Sequence, residues 1–410
     1  MDVPSTTDAA QLTDPISLFT REYGSGPSHA ARAPGRVNLI GEHIDYAGLA
    51  VLPMAIQREV RMYFRPRTDT EIRIHNVSPQ FGSRSFTIAR DIAPYPDGDW
   101  GNYLKAATQG LERRYGPLRG FDAVVESTLP VAAGLSSSSA LVVVTAKCLL
   151  QASDVDVPVV ELAEELAESE RYVGTRGGGM DQAICVGAQP ETASRVAFDP
   201  LRLMPVAVPD DWRFVVASSL VRAEKSGAAR EAYNRRRADS EEALYAVIAH
   251  LDTPRATFSY RTVLEELTPF DIEEIVDHVL EGNLLKRFRH IVTEATRVSL
   301  AEDALRTGNV ERFGTLLSES HASLRDDFEV SCGELDTLAN IATSSGAAGA
   351  RLTGAGFGGC VLALSTPDRV DDVLAALREK YYEPRGLTDA VEDNLFIAEP
   401  SGGATVGSLS

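Results

Sequence analysis

The sequence predicts an α+β protein of two domains. Three observations carry the prediction. The chain has 410 residues, too many for one ordinary core. Its apolar strand-like runs precede helices instead of alternating regularly with them. A glycine-rich loop near its C-terminal end lies between two strand-like segments instead of opening a helix. The hydrophobic fraction of 44% and charged fraction of 24% are those of a globular chain.

Residues 1–15 are polar and read as a mobile N-terminus. Residues 16–210 form the expected first domain, in which strands, glycine turns and helices follow one another from Ala31 to Pro200. Arg58–Arg65 and Phe121–Glu126 read as strands, and Glu161–Tyr172 places Leu162, Leu166 and Ser169 on one face of a helix. Residues 211–399 form the expected second domain. It opens on a strand-like run at Trp212–Ala217 and continues through helical stretches at 240–250, 272–296 and 297–306. After the glycine loop come an apolar strand, Cys360–Leu364, a helix carrying Val370, Val373, Leu374, Leu377 and Tyr381, and a final run Leu395–Ala398. The last stretch, 400–410, is rich in glycine and serine and reads as a disordered tail.

The glycine loop, LTGAGFGG, contains the letters G-x-G-x-x-G at Gly354, Gly356 and Gly359. In a dinucleotide-binding turn those glycines follow a strand and lead into a helix. Here a strand follows, and the helix comes only after Ser365-Thr366-Pro367, so the nicotinamide or flavin reading is rejected.

A formal net charge of −19 argues against nucleic acid or an anionic membrane as partner. The longest apolar run, around Ala140–Leu150, carries Lys147 and is too short to span a bilayer. The first residues hold Asp2, Asp8 and Asp14 and lack the pattern of a secretory signal. Four scattered cysteines read as reduced thiols, and a cytoplasmic location is expected. An anionic substrate of so acidic a protein would need local positive potential from a metal, helix N-termini or placed arginines.

Three segments carry chemistry. In PVAAGLSSSSALVVV (Pro130–Val144), a glycine and four serines run into an apolar helix. Serine is a good N-cap, and the free amides of a helix start with its dipole form a phosphate site. A capped core helix is the bland alternative, though one serine would suffice for it. No Walker P-loop occurs in the chain. In APGRVNLIGEHIDYAGLAVLP (Ala33–Pro53), Arg36, Glu42, His43 and Asp45 lie within ten residues. No second histidine supports a metal site there. Hydrogen bonds to several sugar hydroxyls suit the cluster, as does a solvated polar loop. In GTRGGGMDQ (Gly174–Gln182), three glycines precede Asp181, which suits either a general base toward a hydroxyl or a helix cap.

These segments resemble the signatures of the galactokinase branch of the GHMP kinase superfamily. GRVNLIGEHIDY resembles the galactokinase signature, GLSSS the phosphate loop, and LTGAGFGG the third superfamily motif. DWGNYLKA (99–106), SERYVGTRGGGMDQ (169–182), REAYNRRR (230–237) and SHASLRDDFEVSCGELD (320–336) extend the resemblance over Ala31–Ala398.

The resemblance implies a two-domain GHMP-kinase fold. Its N-terminal α/β domain would be like ribosomal protein S5, its C-terminal α+β domain ferredoxin-like, and its active site would lie in the cleft between them. It implies transfer of a phosphoryl group from ATP, with Mg²⁺, to the anomeric hydroxyl of galactose by a monomer or weak dimer. Asp181 would be the base, with Arg36 keeping it ionised and balancing charge on the transferred group. Glu42, His43, Asp45, Gly178 and Tyr233, together with Arg36 and Asp181, match sugar-contacting positions. Gly134, Leu135, Ser136, Ser137, Ser138 and Ser139 would cradle the ATP phosphates, Trp100 would pack on adenine, and Ser138 and Glu170 would hold Mg²⁺. The glycine loop would support the ATP site by approaching the serine loop closely. Ile44 and Gly48 resemble N-acetylgalactosamine kinases, whereas Tyr233 resembles galactokinases, and galactose is the expected sugar. A silent sugar sensor on this fold would lack parts of the serine loop, which is intact here. The GEHIDY block argues against mevalonate or homoserine as substrate.

Overall fold

The computed structural model describes residues 14–131, 133–174, 177–222, 227–251, 259–388 and 391–409. Among the described residues twelve strands run in chain order: His29–Ile40 (β1), Leu52–Pro66 (β2), Glu71–Asn76 (β3), Arg84–Thr87 (β4), Phe121–Ser127 (β5), Thr192–Ala197 (β6), Arg202–Ala207 (β7), Arg213–Ser218 (β8), Gly349–Thr353 (β9), Cys360–Ser365 (β10), Leu395–Ala398 (β11) and Thr405–Ser408 (β12).

The first sheet has the order β12-β1-β2-β5-β3-β4, antiparallel except between β3 and β5. The second has the order β11-β8-β10-β9 and is wholly antiparallel, and β6 with β7 makes a separate hairpin. The resulting two-domain α+β architecture is the one expected. β1 is buried without a break from Ala33 to Ile40, not alternately as a half-solvated strand would be. The helices Ser137–Ser153 and Met180–Gly187 pack on it, and β9 with the helices Gly282–Thr307 and Val310–Asp326 reaches it from the other half. Its pairing with β2 slips between Pro34 and Arg36 and again between Asn38 and Ile40. Such bulges bend a strand and re-aim its side chains, and these two flank the stretch that begins at Arg36.

Three sequence expectations need correction. The stretch 400–410 is not a disordered tail: Thr405–Ser408 pairs antiparallel with His29–Arg32 as the edge strand of the first sheet. Glycine and serine hide a strand whose stability comes from ladder hydrogen bonds instead of side-chain burial. The helical stretch 272–296 is two helices, Pro269–His278 and Gly282–Thr307. The first ends at its C-cap Val279, and the extended backbone of Glu281 and the left-handed Gly282 (φ 55°) open the second in a new direction. No breaker stands at 296–297, so the second helix runs on to Gly308, where a left-handed glycine ends it. The expected mobile N-terminus lies outside the described residues as far as residue 13. Asp14 already caps the helix Pro15–Tyr23, its carboxylate accepting from the Ser17 amide at 2.8 Å.

Candidate active site

The serine loop leads straight into the helix Ser137–Ser153. Ser136 stands at its N-cap in the left-handed region (φ 58°), and no serine side chain caps the helix. The first turn closes with the Ala140 amide on the Ser136 carbonyl at 2.9 Å, so the amides before it precede the intrahelical ladder. The Ser136 hydroxyl is buried without a hydrogen-bond partner. The capped-core alternative therefore loses its premise: the loop keeps its donors uncommitted, as an anion site requires.

Arg36 extends from β1 under this loop. Its Nε donates to Asp181 Oδ1 at 2.8 Å and its Nη1 to the Gly134 carbonyl at 2.7 Å. Burial opposes its charge, but the carboxylates of Asp181 and Glu42 outweigh that cost and hold the guanidinium above its ordinary pKa. Asp181 sits in the first turn of the helix Met180–Gly187, whose N-cap is Gly179 in the left-handed region. The helix-cap alternative for Asp181 is thereby displaced by a side-chain ion pair.

Around Asp181 lie the other polar residues of the first signature. Asp45 Oδ2 accepts from the Gly178 amide at 3.1 Å. A β-carbon on Gly178 would stand 2.4 Å from the Asp45 carbonyl carbon and from the Tyr46 nitrogen, so only glycine allows this approach. Enclosure in the cleft, then the charge of Asp181, pushes the Asp45 carboxyl up to about 6. Tyr233, on the helix Gly227–His250, has its phenol pushed well above the ordinary value by burial and then by Asp45 and Asp181; it stays a hydroxyl donor.

His43 takes a left-handed backbone (φ 63°), and its ring packs between Phe328 (centroids 4.7 Å apart) and Tyr233 (5.5 Å). Its Nε2 donates to the Ala355 carbonyl at 3.2 Å, which leaves Nδ1 to accept from the Tyr46 hydroxyl at 3.4 Å. Burial, then His290, pushes its pKa down to about 3, so the ring is neutral. His43 thus serves as a fixed wall, with both nitrogens already engaged. Glu42 is also committed on one side: its Oε1 accepts from the Gly354 amide at 2.6 Å and the Thr353 hydroxyl at 3.3 Å, with the buried Arg351 guanidinium 3.4 Å away.

That contact explains the glycine loop. Gly354, Gly356, Gly358 and Gly359 all have positive φ between β9 and β10. A β-carbon on Gly354 would stand 2.7 Å from the Gly134 carbonyl oxygen, so the two glycine turns touch backbone to backbone. The loop braces the serine loop and anchors Glu42.

A cavity of about 730 Å³ opens from Arg36 and Ser136–Ser138 toward Trp100, Phe81 and Tyr172. Trp100 lies at the start of the helix Gly101–Tyr115, with Phe81 edge-on at 6.2 Å. Arg222, which the sequence reading did not select, supplies a second cation to the wall. Glu170 is buried, and the Ser139 hydroxyl donates to its Oε1 at 2.8 Å, so the carboxylate meets the serine loop one residue beyond Ser138. Among the described residues no group of three histidine, cysteine, aspartate or glutamate side chains is placed to hold a metal. Phe328 and Tyr46 were also missed; Phe328 stood in the DDFEV stretch and Tyr46 in EHIDY, with nothing to separate them from core aromatics.

The galactokinase galactose-binding signature matches residues 17–66, the GHMP kinase N-terminal domain 102–189, and the GHMP kinase C-terminal domain 301–383. The galactokinase of Chloroflexus aggregans is 37% identical over 380 residues, covering 92% of this chain and 94% of its own. The chain belongs to the galactokinase family. The Chloroflexus aurantiacus galactokinase is 36% identical over 373 residues, covering 90% and 92% of the two chains. Among solved structures, Lactococcus lactis galactokinase complexed with galactose is 31% identical with a TM-score of 0.84, covering 95% of this chain and 98% of that one. The Methanococcus jannaschii mevalonate kinase, 18% identical with a TM-score of 0.61, shares the fold. As a galactokinase-family kinase the chain uses ATP as phosphoryl donor. Among the described residues no helix is long and apolar enough to cross a membrane.

Proposed function

We propose that this protein transfers the γ-phosphoryl group of ATP to the anomeric hydroxyl of galactose, giving galactose 1-phosphate and ADP. The observation that carries the proposal is the double engagement of Arg36, which holds Asp181 with one nitrogen and the serine loop with another. The sugar end and the phosphate end of the site meet at that side chain.

Asp181 accepts the proton of the attacking hydroxyl, kept ionised by Arg36. The same guanidinium, the serine-loop amides and Arg222 balance charge on the transferring phosphoryl group. Asp45, Glu42 and Tyr233 orient the sugar through its other hydroxyls, with Gly178 giving them room and His43 closing the wall. Trp100 packs on the adenine. The buried Glu170 carboxylate, which meets the serine loop at Ser139, and the Ser138 hydroxyl would hold Mg²⁺, whose shell would be completed by phosphate oxygens and water. When bound it would neutralise charge on the β- and γ-phosphates. All these groups come from one chain, consistent with a monomer or weak dimer. The four cysteines are free thiols, which suits the cytoplasm.

A coupled ADP-release assay with galactose, N-acetylgalactosamine and mevalonate tests the proposal. Turnover highest on galactose supports it. A preference for N-acetylgalactosamine would reassign the substrate, and no turnover on any sugar would leave a sensor.

A further inference from the structure

The C-terminal stretch belongs neither to the sugar site nor to the ATP site, yet it touches both elements that carry the reacting pair. Leaving β11 in the second sheet, it crosses to the first half of the molecule. There the Glu399 amide meets the Gln57 side chain at 3.0 Å and the Ser401 amide the Ala55 carbonyl at 2.9 Å. It then runs along the end of the helix Met180–Gly187. The Ala404 amide donates to the Cys185 carbonyl at 2.8 Å and the Gly403 amide to the Ala188 carbonyl at 2.8 Å. These bonds satisfy carbonyls that a helix C-terminus leaves open. Immediately afterwards Thr405–Ser408 pairs with Arg32–His29 of β1.

One short segment therefore ties down the end of the helix that carries Asp181 and, within a few residues, the strand that carries Arg36. The Cys185 thiol adds a direct link, donating to the Pro34 carbonyl at 3.0 Å. Gly403 is the tight point. A β-carbon there would stand 2.4 Å from the Val186 carbonyl oxygen and 3.0 Å from the Ala188 nitrogen. Both are backbone atoms of the helix end and its exit, so the helix or the strap must move to admit a side chain. Gly407, four residues on, has nothing within 4 Å of such a carbon.

We propose that residues 399–408 are a positioning strap, with Gly403 its critical residue, that sets the register of the Asp181 helix against β1 and so holds the Arg36–Asp181 pair in reacting geometry. The strap touches neither substrate. It acts through the helix, as a positioning element, and a small displacement of a reacting group is enough to cost a large share of the rate. The proposal rests on Asp181 being the base.

The test compares Gly403→Ala, Gly407→Ala, Arg36→Lys and the Gly403→Ala/Arg36→Lys double variant of the full chain, each assayed per folded enzyme well below its Tm. Gly403→Ala is expected to lower kcat by about tenfold or more while leaving the KM for ATP unchanged. Gly407→Ala is expected to match the wild type. If the strap acts through the pair, Gly403→Ala costs little more on the Arg36→Lys background. A folded Gly403→Ala with wild-type kcat, or losses from the two substitutions that multiply, would overturn the strap. Should Gly403→Ala fail to fold, Ala404→Pro, which removes the amide donated to the Cys185 carbonyl and also fixes φ at that position, is judged by the same criteria. A wild-type protein that phosphorylates no sugar would instead sink the assignment of Asp181, an outcome distinct from failure of the strap.

Discussion

The Arg36 guanidinium lies 2.8 Å from Asp181 Oδ1 and 2.7 Å from the Gly134 carbonyl, so one side chain couples the proposed base to the serine loop. Asp181→Asn keeps the shape and removes the proton acceptor. We expect kcat to fall by about 10³-fold or more with ATP binding intact, measured by steady-state kinetics and ATP titration calorimetry. Substantial residual activity would remove Asp181 as base.

Arg36→Lys keeps the charge but replaces a planar fork by a single ammonium, which cannot reach both partners in the same geometry. The expected cost is about 10²-fold in kcat. A variant with wild-type kcat would show that charge alone suffices.

Gly178→Ala forces a methyl group against the Asp45–Tyr46 backbone, 2.4 Å away. The KM for galactose should rise by about tenfold or more while the KM for ATP holds, because the disturbance falls on Asp45 and spares the serine loop. Equal effects on both substrates would contradict the division of the site.

Asp45 gives a pH prediction. Its folded-state pKa of about 6 lies above the ordinary carboxylate value, mainly through enclosure. Between those two values the folded protein holds a proton that the unfolded chain has released, so Asp45's contribution to stability falls as pH rises through that window. Asp45→Asn should therefore raise Tm relative to the wild type at about pH 8 and leave it level at about pH 4. It should also raise the KM for galactose. A variant less stable at the higher pH would contradict the assignment.

Tyr233 stands beside His43, and the charges of Asp45 and Asp181 act on its phenol. Tyr233→Phe should shift the kcat/KM ratio between galactose and N-acetylgalactosamine. An unchanged ratio would remove this ring from sugar selection.

Much of this site was legible because its chemistry is local in sequence. Arg36, Glu42, His43 and Asp45 share one strand-to-loop passage, and the serines precede their helix directly. What the sequence withheld depends on contacts across the chain. Glu42 reads as a free carboxylate, yet one of its oxygens is spent on Gly354, 312 residues away. Any one of the four serines could cap the helix, yet Ser136, which takes the N-cap position, has a left-handed backbone and makes no side-chain cap bond. The strand at Thr405–Ser408 was invisible because a strand made of small residues has no apolar period to detect. Phe328 is held between His43 and His290, with centroids 4.7 and 4.6 Å away, a pairing no local pattern announces.

The most direct measurement is phosphorus NMR of the products formed from galactose and ATP by the wild type and by Asp181→Asn. The wild type is predicted to give an anomeric galactose 1-phosphate resonance growing in step with ADP, absent with the variant over the same reaction time. ADP formed without that resonance, or the resonance persisting in Asp181→Asn, would contradict the assignment of this cleft.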